Sequence, residues 1–264
     1  MIATARYSAL QSAVWTVSDA WVMTRRNLLR YLRLPQLLVF SSFQPVMFML
    51  LFNYVFGGAV NTGGLKYIDF LLPGILIQTV VFGSIQTGVG LAEDLTRGMV
   101  DRFRSLPMAR SAVLAGRTAA DTLRNVLVVL LMTGVGTALG FRFQAGPALA
   151  IVAPILAVAF GFAFSWVSAF LGMSVKDAET AQVAGFVLVF PLVFASSQFV
   201  PIETMPGWLQ AFAKVNPVTA AIDTSRALTL GGPLATSLWK SLVWTVGIAA
   251  VFAPLAVYRY RRAT

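Results

Sequence analysis

Apolar residues run along this chain for about twenty positions at a time, then give way to short segments holding charge, proline and glycine, and the pattern occurs six times. A helix of about twenty residues is about 30 Å long, which is the thickness of a bilayer's hydrocarbon layer. The pattern therefore predicts membrane-crossing helices over residues 37–56, 70–91, 123–139, 147–171, 181–200 and 238–258, with a polar turn at 118–122 before the third. Pro45, Pro73, Pro154, Pro191 and Pro254 lie in or beside these spans. Membrane helices tolerate them because neighbouring groups re-satisfy the freed carbonyls.

Three other segments keep helical periodicity but carry charge. Over residues 14–33, Val14, Val17, Trp21, Leu28, Leu29 and Leu32 share one face, with Arg26, Arg30 and Arg33 on the other. Such a helix is expected to lie along the headgroup layer rather than cross it. In 93–117, Leu95, Met99, Phe103 and Leu106 recur at helical spacing among Glu93, Asp94, Arg97, Asp101, Arg102 and Arg104, and Pro107 stops the run. That is a short amphipathic helix. Residues 201–237 are punctuated by Pro201, Pro206, Pro217 and Pro233. Trp208, Leu209, Phe212 and Val215 make the apolar face of one short helix there. Asn216, placed just before Pro217, is expected to cap a second helix over 217–230, which carries Asp223 and Arg226 at i,i+3.

Composition agrees with the pattern. Hydrophobic residues make up 58% of the 264, charged residues 11%, and mean hydropathy is +0.77, whereas a soluble domain carries about a quarter charged residues. The net charge of +10 does not indicate nucleic acid, because the cations are scattered over short loops between apolar spans. Most of the 20 Lys and Arg fall on one side, in the N-terminal segment, around 93–124, at Lys176 and at the C-terminal end. Lys66, Arg142, Lys214, Arg226 and Lys240 fall on the other. Positive loops stay inside, so both termini and segment 93–117 are expected in the cytoplasm and 201–237 outside. No continuous apolar stretch opens the chain, so no cleavable signal peptide is expected. The expected fold is an all-α polytopic membrane protein with six transmembrane helices, an N-terminal interfacial helix over 1–36, and one transmembrane domain over 37–264. A short charged amphipathic helix on the cytoplasmic side and short half-apolar helices on the external side complete it.

Candidate chemistry is sparse. With no Cys or His, thiol chemistry, disulfides, imidazole catalysis and histidine metal ligation are excluded. No Asp, Glu, Lys or Arg lies near the middle of a span, where ion-coupled transporters keep ionisable groups. Asp121 and Arg124, at i,i+3 near a span end, are expected to pair and snorkel toward water. Milder polar residues inside the spans, among them Gln44, Gln78, Gln86, Ser197 and Gln198, suit interhelical hydrogen bonds first and substrate contact second. Phe186, Phe190 and Phe194 share a face of the fifth span, which fits either lipid contact or the wall of a cavity for an apolar substrate. No G-x-x-x-x-G-K-[ST] phosphate loop occurs, so ATP hydrolysis by this chain is not expected. A transporter reading therefore needs a motor on another chain, and 93–106 is the place for it to push.

The segments EDLTRGMVDRFRSLPMARSAVLAGR at 93–117, LGFRF at 139–143, MPGWLQAFAKVNPVTAAIDTSRAL at 205–228 and the terminal YRYRRAT occur in this order. Together they resemble the membrane subunits of ABC type-2 exporters, specifically the daunorubicin-resistance-like permeases of actinobacteria. The resemblance spans nearly the whole chain. It implies a half-transporter in a bacterial plasma membrane that pairs with a second permease chain, the same or homologous. It also implies two copies of a separately encoded ATP-binding-cassette ATPase, which would carry the ATP and Mg. The 93–106 segment would be the cytoplasmic coupling helix, with Glu93, Asp94, Arg97, Arg102, Phe103 and Arg104 contacting that ATPase, and 201–237 would hold external re-entrant helices. The second and fifth spans would line a cleft between permeases through Gln78, Phe82, Gln86, Phe190, Phe194 and Ser197. Trp208, Phe212 and Asn216 would belong to the external seal. The expected cargo is hydrophobic or amphiphilic, drug-like or lipid-like. Polysaccharide export, or a non-transporting membrane assembly factor or channel, are the alternatives.

Overall fold

A computed structural model describes residues 9–33, 35–60, 64–99 and 110–262, and every regular element among them is helical. In chain order these are α1 (Ala9–Arg33), α2 (Pro35–Leu51) running on into a π-helical turn (Phe52–Phe56), α3 (Tyr67–Thr96), α4 (Arg110–Ala138) and α5 (Pro147–Gly172). After them come α6 (Ala178–Phe194), a 3₁₀ turn (Ile202–Thr204), α7 (Gly207–Val215), α8 (Pro217–Leu230) and α9 (Leu234–Arg262). Each of the six predicted spans has its helix. Four helices, α3, α4, α5 and α9, are long and apolar enough to cross a bilayer, while α2 with its π turn and α6 are shorter apolar helices.

Local sequence sets the helix starts. Pro147 opens α5 after Gly146, whose φ of 92° needs no Cβ. Asp177 caps α6: its Oδ1 accepts the Thr180 backbone N–H at 2.7 Å and its Oδ2 accepts the Thr180 hydroxyl at 3.1 Å. Those hydrogen bonds, the backbone one first, hold the exposed Asp177 carboxyl below its ordinary range. Asn216 caps α8, accepting the Val218 N–H at 2.9 Å, as its place before Pro217 predicts.

α3 is the axis of the bundle. It is buried along nearly its whole length against α4, α5, α6 and α8, and Leu71, Ile75, Ile77, Val80 and Val81 form the centre of the core. Its backbone meets α5 directly: a Cβ on Gly172 would lie only 2.7 Å from Gly88 Cα. Between membrane helices, small residues of this kind set the strength of association, because dispersion rather than water expulsion holds the pair together. The outward faces remain apolar, with Leu127, Leu130, Ile151, Ile155, Val187, Val246 and Val251 exposed. A surface of that kind suits lipid and would aggregate in water.

The structure departs from the expected boundaries in four places. α4 begins well before residue 123, taking in the polar turn at 118–122, because Thr118 and Asp121 are buried with partners of their own and need no apolar surroundings. α6 stops at Phe194, and residues 195–200 are not helical. Asn216 Nδ2 donates to the Leu192 and Ala195 carbonyls at 2.7 and 3.2 Å, which satisfies the end of a helix that stops early. α3 continues through Thr96 and ends at Gly98, where φ is 64°. Glu93 and Asp94 therefore ride on its last turn instead of opening a separate helix. Finally, α1 turns Met23, Thr24 and Asn27 against α4 and leaves Trp21 and Leu29, residues of the expected apolar face, exposed. Gly116 makes that contact possible, since a Cβ there would sit 2.7 Å from the Ala20 carbonyl oxygen.

Candidate functional site

Where α3 ends and α4 begins, the bundle carries a charged platform. Arg26 of α1 lies 3.4 Å from Asp94 on α3, half-buried Glu93 lies beside it, and Arg97 is exposed at the helix end. Arg102, Phe103 and Arg104 lie outside the described residues. Below the platform the Asp121 carboxylate is fully buried. It accepts the Thr87 hydroxyl at 2.6 Å and faces Arg117 at 3.4 Å, and Arg117 also donates to the Gln86 carbonyl at 3.2 Å. Arg124, 5% exposed, donates to the Gly83 carbonyl at 2.6 Å. Asp121 and Arg124 were expected to snorkel. Instead they are buried, because α3 offers backbone carbonyls and a hydroxyl that meet these groups without water. A small second core of Met23, Leu91, Leu114, Met173 and Tyr260 fastens α1, α3, α4, α5 and α9 together beside them.

From the middle of the bundle toward the π turn runs a ladder of phenyl rings. Centroid separations are 5.6 Å for Phe82–Phe186, 5.4 Å for Phe186–Phe190 and 4.1 Å for Phe190–Phe194. The ladder continues at 5.1 Å for Phe194–Phe199, 4.3 Å for Phe199–Phe52 and 5.0 Å for Phe52–Phe56. Phe186 and Phe190 are exposed, so this face of α6 is uncovered within one chain, while Phe194 is half-buried. Gln78, Phe82 and Gln86 do share one face of α3, as their spacing predicts. Within the chain that face borders a cleft of about 90 Å³ between α2, α3 and α4, and Phe82 at its edge also meets Phe186 of α6. Gln78 is buried, its Oε1 accepting from Gln198 Nε2, and Gln86 is exposed. Ser197, expected on the helical face of Phe190 and Phe194, lies past the end of α6 and is buried, its hydroxyl donating to Asp223 Oδ1 at 2.7 Å.

The opposite end is organised by Arg226, which spacing alone identified only as the partner of Asp223. Its guanidinium lies 3.5 Å from Asp223 Oδ1 and 3.7 Å from the Phe70 ring centre. It donates to the carbonyls of Phe70 at 3.1 Å, Ser197 at 2.6 Å and Gln198 at 3.1 Å. The Tyr67 hydroxyl donates to a further carbonyl of the same bend, that of Phe199, at 3.3 Å. α8 is thereby locked to the start of α3 and to the bend after α6. On α7, Trp208 is 75% exposed and Phe212 is exposed too, as suits an amphipathic helix lying at an interface. Asn216 is buried as a cap. The sequence showed only the Asp223 pairing at i,i+3; nothing in it pointed to the carbonyls of Phe70, Ser197 and Gln198.

A family model described as "ABC-2 type transporter" matches residues 18–230. The chain is similar to the daunorubicin resistance ABC transporter permease protein DrrB1 of Streptomyces coeruleorubidus, with 36% identity over 246 residues, 93% of this chain and 86% of that protein. It is also similar to the probable doxorubicin resistance ABC transporter permease protein DrrC of Mycobacterium tuberculosis, with 32% identity over 254 residues, 94% of this chain and 90% of that protein. A putative transport permease, ycf38, of Cyanophora paradoxa is 25% identical over 225 residues, 84% of this chain and 77% of that protein.

Proposed function

The chain belongs to the ABC-2 type transporter family as a permease subunit, and from that premise we propose that it exports a hydrophobic or amphiphilic, drug-like compound. The observation carrying this reading is the end-to-end likeness to permeases of daunorubicin and doxorubicin resistance. The energy comes from two copies of a separate ATPase, which hold the ATP and Mg, since this sequence has no phosphate loop. A second permease chain completes the pathway. The uncovered phenyl face of α6 supports that pairing, because an apolar strip at the centre of a transporter needs either lipid or a partner. All six apolar helices cross a bacterial plasma membrane, with both termini and the platform of Glu93, Asp94 and Arg97 in the cytoplasm, where the ATPase docks. Trp208 and Phe212 of α7 rest in the outer interface and form part of the external seal.

The test is reconstitution with a cognate ABC ATPase subunit, followed by daunorubicin accumulation in inverted vesicles. Accumulation is expected only with both subunits and ATP. Equal accumulation without the ATPase, or none with both subunits present and copurifying, would overturn the reading.

A further inference from the structure

The cleft between α2, α3 and α4 is rich in hydrogen-bonding groups for a site inside an apolar bundle. The amides of Gln44, Gln78, Gln86 and Asn125 and the guanidinium of Arg124 line it, with Phe82 on its apolar side. Besides the Gly83 carbonyl, Arg124 Nη2 donates to Asn125 Oδ1 at 3.2 Å. Because the guanidinium claims the oxygen, the amide's orientation is fixed, and Nδ2 is left as the free end. That nitrogen is buried and has no hydrogen-bond partner among the described residues, although Asn125 as a whole is only 2% exposed. A buried donor without an acceptor is costly, so such a group in a cleft wall is suited to an acceptor that arrives from outside. Gly83 keeps the cradle open: a Cβ there would lie 2.7 Å from Asn125 Oδ1 and 3.3 Å from Arg124 Nη2.

The groups present define the chemistry of what fits. The unmet donor is the Asn125 amide N–H, which calls for an oxygen acceptor, and the Arg124 guanidinium beside it adds positive charge to the cleft. The glutamine amides of Gln44 and Gln86 both donate and accept, which suits hydroxyl groups. The carboxylate on the same helix, Asp121, already serves Thr87 and Arg117. A volume of about 90 Å³ admits a head group and not a whole drug molecule, given that a single water needs about 10–15 Å³ on this measure. Phe82 connects the cleft to the phenyl ladder through Phe186.

We propose that this cleft is the subsite for the oxygen-rich polar end of the exported amphiphile. Its carbonyl, hydroxyl or phosphoryl oxygens accept from Asn125 Nδ2 beside the positive charge of Arg124, while its apolar remainder lies along Phe82 and Phe186. This assignment rests on the exporter reading above. It goes further by naming which end of the cargo is recognised and by which residues.

Oxygen-rich ends are carried both by exported compounds and by membrane phospholipids, and the experiment separates them. The permease–ATPase complex is purified into phosphatidylcholine nanodiscs, with and without phosphatidylglycerol, and daunorubicin binding is read from the drug's own fluorescence. Asn125→Asp keeps the side chain's size but puts an acceptor where the donor was. Gln86→Leu changes an exposed wall residue that the fold does not need. Asn125→Asp is expected to raise the daunorubicin dissociation constant at least tenfold and Gln86→Leu several-fold, with retained ATPase copurification as the folding control. Competition by phosphatidylglycerol in the wild type, lost in Asn125→Asp, would assign the site to a phosphoryl head group. Unchanged daunorubicin affinity in both variants, or no binding to the wild type with either lipid, would overturn the proposal. Failure of the exporter reading shows separately, as absent ATP-dependent accumulation despite normal binding.

Discussion

At the scale of single residues, Arg226 carries more of the structure than its spacing suggests. One guanidinium serves three backbone carbonyls, a carboxylate and a phenyl face, using the planar fork that distinguishes arginine from lysine. Two of those carbonyls, Ser197 and Gln198, belong to the non-helical bend after α6, where no helix ladder satisfies them. Arg226→Gln is therefore expected to destabilise by on the order of 1–3 kcal/mol for each carbonyl left unmet. The half-exposed Asp223 side chain is spared by solvent. Thermal unfolding in detergent checks this, and Arg226→Lys should recover only part of the loss, since an ammonium cannot reach all three oxygens. An unfolding temperature equal to the wild type's for Arg226→Gln would show that the bend holds without it. Asn216 was legible in the sequence because a cap is local. Arg226 was not, because its partners Phe70, Ser197 and Gln198 come from elements distant in the chain.

Among the elements, α3 and α6 differ in how far a single chain covers the faces expected to line the cleft. Both are expected to line a cleft between two permease chains, through Gln78, Phe82, Gln86, Phe190, Phe194 and Ser197. α3 turns out to be the buried axis, so Gln78 is committed to Gln198 inside the chain, while α6 keeps Phe186 and Phe190 on its outer face. The chain has no cysteine, which makes crosslinking a direct probe. Phe190→Cys is expected to form a disulfide with the same position of a second permease chain, and substrate should protect it. Gln78→Cys should stay unlinked because it is covered within its own chain. Efficient crosslinking at position 78 and none at 190 would move the contact between chains away from α6. The faces were readable from periodicity alone. Which neighbour each face meets was not, since a helical repeat gives an angle around the axis and no address across the bundle.

For the whole molecule, the decisive contact joins the N-terminal helix to the end of the central one. α1 packs along α4, and its Arg26 reaches Asp94 on the last turn of α3. If the ATPase docks on Glu93, Asp94 and Arg97 as proposed, its push would reach the axis of the bundle through the last turn of α3, with α1 held to it by Arg26. Asp94→Arg is expected to abolish substrate-stimulated ATP hydrolysis by the assembled complex, and combining it with Arg26→Asp should restore much of it, as a coupled pair requires. Because positive residues also set topology, correct insertion must be established for each variant. Stimulation that survives Asp94→Arg alone, or a double variant no better than the single, would remove this contact from the coupling route.

The sequence by itself determined that the chain is a membrane protein, that its apolar helices come in six runs, and that short amphipathic helices lie over 207–215 and 217–230. All three follow from hydropathy and period, which are local sums over neighbouring residues. It also carried the family, through motifs whose order along the chain is itself the signal. Only the tertiary structure decided that Asp121, Arg117 and Arg124 are buried rather than snorkelling, that α6 ends at Phe194, and that Asn125 and Gly83 frame a cleft. The physical reason is the same in each case: a polar group inside an apolar bundle is stable only when a partner from another helix meets it. No arithmetic on one segment's composition contains that partner.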